Sequence, residues 1–284
     1  NQMKLNEFDK MDNKYVFGAI SFDNLDFSLG LDINSFKIQN TGLTINLANL
    51  SYVYKLQFDN DLFFLPAVSL GFGSSAVNPG NLIFEDQLNT TTGFINTESI
   101  DRLAPVISNV NYLDLGASFM LHSEKFMAGL TLKHLNKPNT SFNKEVPFEK
   151  PIKISVQGAY EFNINPYERR YLPRYSYLFT YGSFTKFGDS VLIYLSQDFQ
   201  LGEFSLGLSQ QASSLNTFAL NNVGVSIGLA VENFDFGILY NFPFQSPGAV
   251  FSPSIFELFV TFDFSIYRRN RRGQYNRLQT DNYF

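Results

Sequence analysis

The chain of 284 residues contains no cysteine, no tryptophan and only two histidines. A chain without cysteine forms no disulfide, and the lack of thiols is compatible with passage through an oxidising compartment. His122 and His134 do not stand at the spacing of a zinc site, and no cysteine is present to complete one. We therefore predict no metal site and no cofactor, and we interpret both histidines as structural.

Charged residues and long apolar runs are also scarce. Only 17% of the residues are charged, whereas soluble proteins average about 25%. The net charge of −5 argues against a nucleic-acid partner, which would require a basic surface. No apolar run reaches the roughly 18 residues of a transmembrane helix, and the mean hydropathy of −0.09 is too low for a helical membrane protein.

Aromatic residues, in contrast, are abundant, with 32 Phe and 15 Tyr. A surplus of aromatic residues together with a near-neutral hydropathy is typical of a transmembrane β-barrel. The strands of such a barrel turn an apolar face to the lipid and a polar face to the lumen. The composition therefore favours a barrel over a soluble enzyme.

Apolar residues recur at every second position, which is the period of a β-strand. Near the C-terminus, Phe256, Leu258, Val260 and Phe262 fall on one face, and Glu257 and Thr261 fall on the other. The second face of such segments is rich in Gly, Ser, Asn and Gln, which suits a hydrated or tightly filled lumen. Segments of about ten residues also match the length of a tilted membrane-spanning strand.

We predict an all-β, transmembrane, antiparallel up-and-down β-barrel. Thirteen strands are visible, near residues 15–22, 26–37, 43–58, 61–77, 110–122, 125–135, 151–163, 175–187, 190–200, 203–213, 221–232, 234–244 and 255–266. The domain plan is an N-terminal extended or loop segment (1–14), one barrel (15–267) and a basic tail (268–284).

The connections alternate in length, which orients the barrel. Short turns near residues 60, 124, 202 and 233 alternate with longer loops at 78–109, 136–150, 214–220 and 245–254. Bacterial barrels place short turns in the periplasm and long loops outside the cell, so we expect the tail in the periplasm. Because bacterial barrels have even strand numbers, we expect about fourteen strands. The first strand would precede the visible chain, or an irregular segment would pair with the sheet in its place.

Four stretches resemble the PorP/SprF family of Bacteroidetes outer-membrane proteins, and they occur in family order. They are residues 50–56, 78–87, 111–116 and 132–142, and the similarity extends over about residues 15–266. The family usually opens with an Asn-Pro-Ala type segment, and nothing in this sequence matches it. That difference agrees with a first strand that is missing from the visible chain.

The resemblance implies a component of the type IX secretion and gliding machinery, located in the cell outer membrane. Members are thought to hold a secreted adhesin or enzyme at the cell surface or to dock periplasmic components. The implied partners are outer-membrane lipid, a secreted surface protein and periplasmic or lipoprotein components. The family has no established catalytic residues, so the resemblance implies that the chain is not an enzyme.

Arginines and tyrosines are concentrated in two segments on the predicted periplasmic side. The connection 165–175 contains Arg169, Arg170, Tyr171 and Arg174, and the tail contains Arg268, Arg269, Arg271 and Arg272. Arg and Tyr are the residue types that most often anchor interfaces, so these residues are candidates for binding an acidic periplasmic partner or peptidoglycan. A solubilising tail is the alternative for the second segment.

The outer loop 78–109 is too long for a simple connection. Its apolar residues Leu82, Phe84 and Phe94 are candidates for partner binding, and the loop could equally plug the lumen. The leading hypothesis for the whole chain is a barrel that anchors or helps to deliver surface cargo. The alternative is an outer-membrane pore or transporter for small hydrophobic molecules.

Overall fold

The computed structural model describes residues 2–4, 10–22, 25–39, 41–59, 61–78, 85–88, 109–143, 146–167, 169–173, 176–214, 218–231, 234–244 and 254–262. Nearly all of these residues lie in strands or in the connections between them. Helical geometry among them is limited to Leu25 and to one 3₁₀ turn, Glu85–Gln87. None of the described helical segments has the length and apolar character needed to span a bilayer.

Fifteen strand segments follow one another along the chain. They are β1 (Gln2–Lys4), β2 (Lys10–Phe22), β3 (Phe27–Ile38), β4 (Thr44–Tyr54), β5 (Leu56–Asp59), β6 (Leu62–Ala76), β7 (Val110–Ser123), β8 (Phe126–Lys133), β9 (Lys153–Asn163), β10 (Ser176–Phe187), β11 (Ser190–Leu201), β12 (Phe204–Ser214), β13 (Phe218–Val231), β14 (Phe234–Pro243) and β15 (Ser254–Phe262).

Each strand pairs antiparallel with its neighbours in sequence, which is the up-and-down order of a barrel. β4 and β5 both pair with β6 and are separated only by Lys55, so they act as one interrupted strand. The described chain therefore contains fourteen antiparallel strands in one sheet. The prediction of an all-β barrel of about fourteen strands is confirmed.

The first and last strands meet at an incomplete seam. β1 lies between β2 and β15, where Gln2 is opposite both Asp12 and Phe256. This pairing involves three residues of β1 at one end of the barrel. Farther along the seam, the structure gives no pairing between described residues of β2 and β15. The barrel is therefore joined at one end of the seam and not along its full height.

The side chains are distributed inside out relative to a soluble protein. Among the described residues, six apolar and fourteen polar side chains are buried, so the interior is mainly polar. Large apolar side chains cover the outer face, as on β14, where Phe234, Phe236 and Ile238 are all exposed. In water each such side chain would forgo part of the roughly 1.5–3 kcal/mol that full burial provides. A hydrocarbon environment removes that cost, as expected for a lipid-facing barrel.

Two lumen-facing glycines allow large rings to lie flat against the wall. A Cβ added at Gly73 would clash with the Tyr112 ring, and one added at Gly237 would clash with the Phe259 ring. No other residue type leaves this space. The two rings therefore lie on the inner side of the sheet, and the apolar outer face is unchanged.

The predicted strands correspond to the observed ones with small differences at their ends. The first predicted strand, 15–22, in fact begins at Lys10, and the strand predicted at 221–232 begins at Phe218. The strand predicted at 43–58 is interrupted at Lys55, whose backbone N–H donates to the Asp26 carbonyl at 2.7 Å. Residues 263–266 of the last predicted strand lie outside the described ranges.

The connections fall at two ends of the barrel, which we name after their lengths. The short-turn end contains the β7–β8, β11–β12 and β9–β10 connections and the end of β15. The long-loop end contains the β6–β7, β8–β9 and β14–β15 connections. The β9–β10 connection is the longest at the short-turn end, and the β8–β9 connection is the best described at the long-loop end.

Candidate functional site

A buried asparagine organises the β9–β10 connection at the short-turn end. Asn165 is 3% exposed, and its side-chain amide donates to the carbonyl oxygens of Arg169 and Pro173 at 3.3 Å each. Its side-chain oxygen accepts the backbone N–H of Arg169 at 2.8 Å. The Ser176 hydroxyl donates to the same Pro173 carbonyl at 2.9 Å. These hydrogen bonds satisfy backbone groups of the connection internally, so its described residues have a defined shape before any partner binds.

This connection displays an arginine held between two tyrosines. Arg169 Nη1 donates to the Tyr171 hydroxyl at 3.2 Å, and the guanidinium carbon lies 5.9 Å from the centre of the Tyr167 ring. Tyr167 is 80% exposed and Tyr171 is 71% exposed, and Arg169 and Arg170 are exposed beside them. We call Tyr167, Arg169, Arg170 and Tyr171 the Arg–Tyr platform.

The arginines of the platform have no carboxylate partner within the described part of the chain. The ion pairs found there join Lys14 to Asp12 and His134 to Asp114. Arg169 uses one guanidinium nitrogen on Tyr171, which leaves further N–H groups facing solvent. The platform can therefore accept an external anion without breaking an ion pair to any other described residue; Glu168, which precedes Arg169 in the sequence, lies outside the described residues.

The structure brings together three of the predicted partner-binding residues, namely Arg169, Arg170 and Tyr171. Tyr167 was not singled out from the sequence, although its position two residues before Arg169 was visible. The other candidates lie outside the described residues: Arg174, Arg268, Arg269, Arg271, Arg272, Leu82, Phe84 and Phe94. Their roles stay predictions.

At the long-loop end, a histidine–aspartate pair fixes the start of the β8–β9 connection. His134 Nδ1 lies 2.9 Å from Asp114 Oδ2, and the backbone N–H of His134 donates to Asp114 Oδ1 at 3.0 Å. Both side chains are buried, and the His134 ring meets the edge of Phe187 at 5.8 Å. His134 adopts a φ of 61°, so the chain turns sharply where it leaves β8. The pair fixes that turn.

Two more side chains tie this connection to β7. The Asn136 side chain donates to the Leu113 carbonyl at 2.7 Å and accepts the Leu115 N–H at 3.0 Å. It thus replaces the strand pairing that is lost where β8 ends at Lys133. At the far end of the connection, Lys150 Nζ donates to the Tyr112 hydroxyl at 2.8 Å and lies 4.3 Å from its ring centre.

Between these anchors the connection exposes two apolar side chains. Asn139 Oδ1 accepts the backbone N–H groups of Ser141 and Phe148 at 3.0 Å each, which holds the loop in shape. Val146 is 63% exposed and Phe148 is 60% exposed. Sequence reasoning missed this surface. The signal was present, because Val146-Pro147-Phe148 is an apolar run inside a polar loop.

The inner wall has a small cavity of about 150 Å³ against β11–β15, lined by polar side chains and also by the apolar side chains of Leu239 and Phe259. The wall includes Asp198, which accepts the Ser226 hydroxyl at 3.0 Å, and Ser209, which donates to the Asn241 side chain at 3.0 Å. At about 30 Å³ for each water, the space suits a few waters or one small solute. It is too small for a large ligand.

The anchored loop joins two of the stretches that suggested a family. Asp114 lies in 111–116 and His134 lies in 132–142, and their side chains are in contact. Asn136, also in 132–142, bonds to the backbone of 111–116. Two of the four stretches that carry the resemblance are therefore in contact in the fold.

Comparison with known proteins identifies a family. The family described as "Type IX secretion system membrane protein PorP/SprF" matches residues 6–262. A search of curated proteins found no match. Since the family match spans most of the 284 residues, the chain belongs to the PorP/SprF family of type IX secretion system membrane proteins.

Proposed function

We propose that this protein is a non-enzymatic barrel of the outer membrane that anchors or helps to deliver a secreted surface protein. In this proposal the long-loop end faces the cell exterior, and the short-turn end docks components of the secretion machinery in the periplasm. Family membership supports a role in type IX secretion. The lengths of the connections support the orientation, because bacterial barrels place their short turns in the periplasm.

The observation that carries the proposal is the fixed, apolar tip of the β8–β9 connection. Val146 and Phe148 are exposed, and the loop that displays them is tied to β7 by Asp114, Lys150 and Asn136 contacts. A simple connection between two adjacent strands requires only a few residues. Side chains that hold an exposed apolar tip in place are consistent with a binding surface for a protein.

Phe148→Ser tests the anchoring role, and Phe58→Ser is its matched control. Phe58 lies at the short-turn end and is 64% exposed, against 60% for Phe148. In cells whose own copy of the gene carries each change, we expect Phe148→Ser to release type IX cargo from the surface into the medium. We expect Phe58→Ser to leave the surface fraction unchanged. Equal surface fractions in both variants, at equal barrel levels, would contradict the proposal.

A pore or transporter is the second candidate function. The cavity beside Asp198 is lined by several serines, and the buried side chains of the described barrel are mainly polar. The same cavity also exposes Leu239 and Phe259, so its lining is compatible with polar solutes and with the small hydrophobic molecules expected from the sequence. Steady conductance of the purified protein in planar bilayers would support a pore, and a sealed bilayer would favour anchoring.

A further inference from the structure

We infer that the Arg–Tyr platform binds a carboxylate-bearing polypeptide, namely an acidic extended segment of a periplasmic protein. The inference rests on the proposed function, because it takes the short-turn end to face the periplasm. It goes further because it names the chemical class of the partner and the residue that binds the partner's carboxylate. Arg169 is that residue, with Arg170 and the two tyrosines around it.

The geometry of Arg169 suits a carboxylate. A guanidinium group can donate two parallel hydrogen bonds to one carboxylate, which a lysine ammonium cannot reproduce. The contact with the Tyr171 hydroxyl at 3.2 Å restrains the plane of the group. Because Asn165 orders the backbone at Arg169, much of the ordering cost is met before the partner arrives.

The tyrosines favour a polypeptide over a free anion. Tyr167 and Tyr171 lie on either side of Arg169 in sequence, and both contact its guanidinium group. A small anion would use the charge and leave the rings uncovered. An extended chain that places a carboxylate on Arg169 can cover the rings with its neighbouring residues, and Tyr and Arg together often dominate such contacts.

Charge complementarity indicates that the partner carries negative charge. In the described part of the chain, Arg169 and Arg170 lack an ion pair, although the whole protein has a net charge of −5. The two exposed arginines outnumber the one neighbouring acid, Glu168, so the local charge is positive. A basic partner would be repelled, and an acidic one would gain charge-assisted hydrogen bonds.

The test uses the full chain in lipid nanodiscs and a fluorescein-labelled peptide of four Glu-Ala repeats. A peptide of four Gln-Ala repeats is the neutral control. We expect Arg169→Gln to weaken binding of the acidic peptide about tenfold, which corresponds to one charge-assisted contact. We expect Arg169→Lys to lose most of this affinity as well. Lys125→Gln, an exposed cation on the β7–β8 turn at the same end, should change binding less than about twofold.

Several outcomes would overturn the inference. If Lys125→Gln and Arg169→Gln weakened peptide binding equally, any exposed positive charge at this end of the barrel would be sufficient. If Arg169→Lys kept full affinity for the acidic peptide, the planar guanidinium group would have no specific role. Binding of purified peptidoglycan fragments but not of the acidic peptide would assign the platform to the cell wall. If Asn165→Ala weakened binding as much as Arg169→Gln, with the barrel intact, the role of loop order would be supported. Unchanged binding in Asn165→Ala would refute that role.

The same variants separate this inference from the proposed function. If Arg169→Gln abolishes peptide binding but cells still secrete and retain cargo normally, periplasmic docking at this site is wrong and the chemistry of the platform stands. If the acidic peptide never binds but Arg169→Gln impairs secretion, docking stands and the carboxylate partner is wrong.

Discussion

At the scale of single residues, three asparagines shape the connections. Asn165 orders the β9–β10 connection, Asn136 extends the pairing of β7, and Asn139 holds the exposed loop tip. Asparagine suits this role because its side chain carries both a donor and an acceptor, like a peptide group. Each one satisfies backbone groups that the strands no longer pair.

Removing Asp114 should destabilise the barrel and loosen the β8–β9 connection. Asp114→Ala leaves the buried His134 side chain and backbone N–H without their described acceptor, at a cost of about 1–3 kcal/mol. The temperature at which the barrel unfolds on a heat-modifiability gel should fall. Asp189→Ala, an exposed carboxylate in the β10–β11 turn, should have no measurable effect. Equal unfolding temperatures for the two variants would contradict the structural role of the pair.

At the scale of the strands, the seam differs from the rest of the sheet. Neighbouring residues of an antiparallel strand point their backbone groups to opposite sides. Half of the amides in residues 15–21 of β2 therefore face the seam, where no described strand pairs with them. β13 has pairing partners on both sides.

Amide hydrogen exchange in lipid nanodiscs should therefore distinguish β2 from β13. We expect about half of the amides in residues 15–21 to exchange faster than those of residues 223–228 on β13, because unpaired backbone groups are exposed to exchange. The lipid-facing side chains of the two strands are similar, so β13 controls for burial in the bilayer. Equal protection would show that a further strand occupies the seam.

The strands were largely predictable from the sequence, whereas the contacts of the loops were not. Period two locates β14 to within about a residue, because each outward position is apolar and the inward ones, except Leu239, are small or polar. The break at Lys55 and the bulge between Gln211 and Ala212 depend on partners elsewhere in the sheet. Arg169 and Tyr171 were recognised from residue type alone. The brace at Asn165 was not, because its partners are backbone groups that any sequence supplies.

At the scale of the whole molecule, the outer surface resembles the core of a soluble protein. Outward residues such as Leu70 and Leu115 face each other across strands and are exposed, whereas the inward Asn49 and Asp114 are buried. Composition alone pointed to this arrangement, since few charges and many aromatics must be distributed between two faces. The periodicity then assigned each residue to its face.

A charge placed on the outer face should therefore be costly. Leu70 lies near the middle of β6 and is 50% exposed. In water, Leu70→Lys would change stability by less than about 0.5 kcal/mol. In a bilayer we expect a loss of about 2–4 kcal/mol, measured by urea unfolding in lipid vesicles. Leu135→Lys, on the β8–β9 connection and 41% exposed, is the control. Similar small losses for both would refute the lipid-facing assignment.

The attachment of the β8–β9 connection to β7 has a mechanical consequence. A load on the loop tip reaches β7 through Asp114, Tyr112 and the backbone of Leu113. β7 is paired with β6 from Val110 to Ser123, so tension along it must shear many hydrogen bonds at once instead of opening them one by one. A tether rooted there would withstand drag from a large surface protein better than one fastened beside the seam.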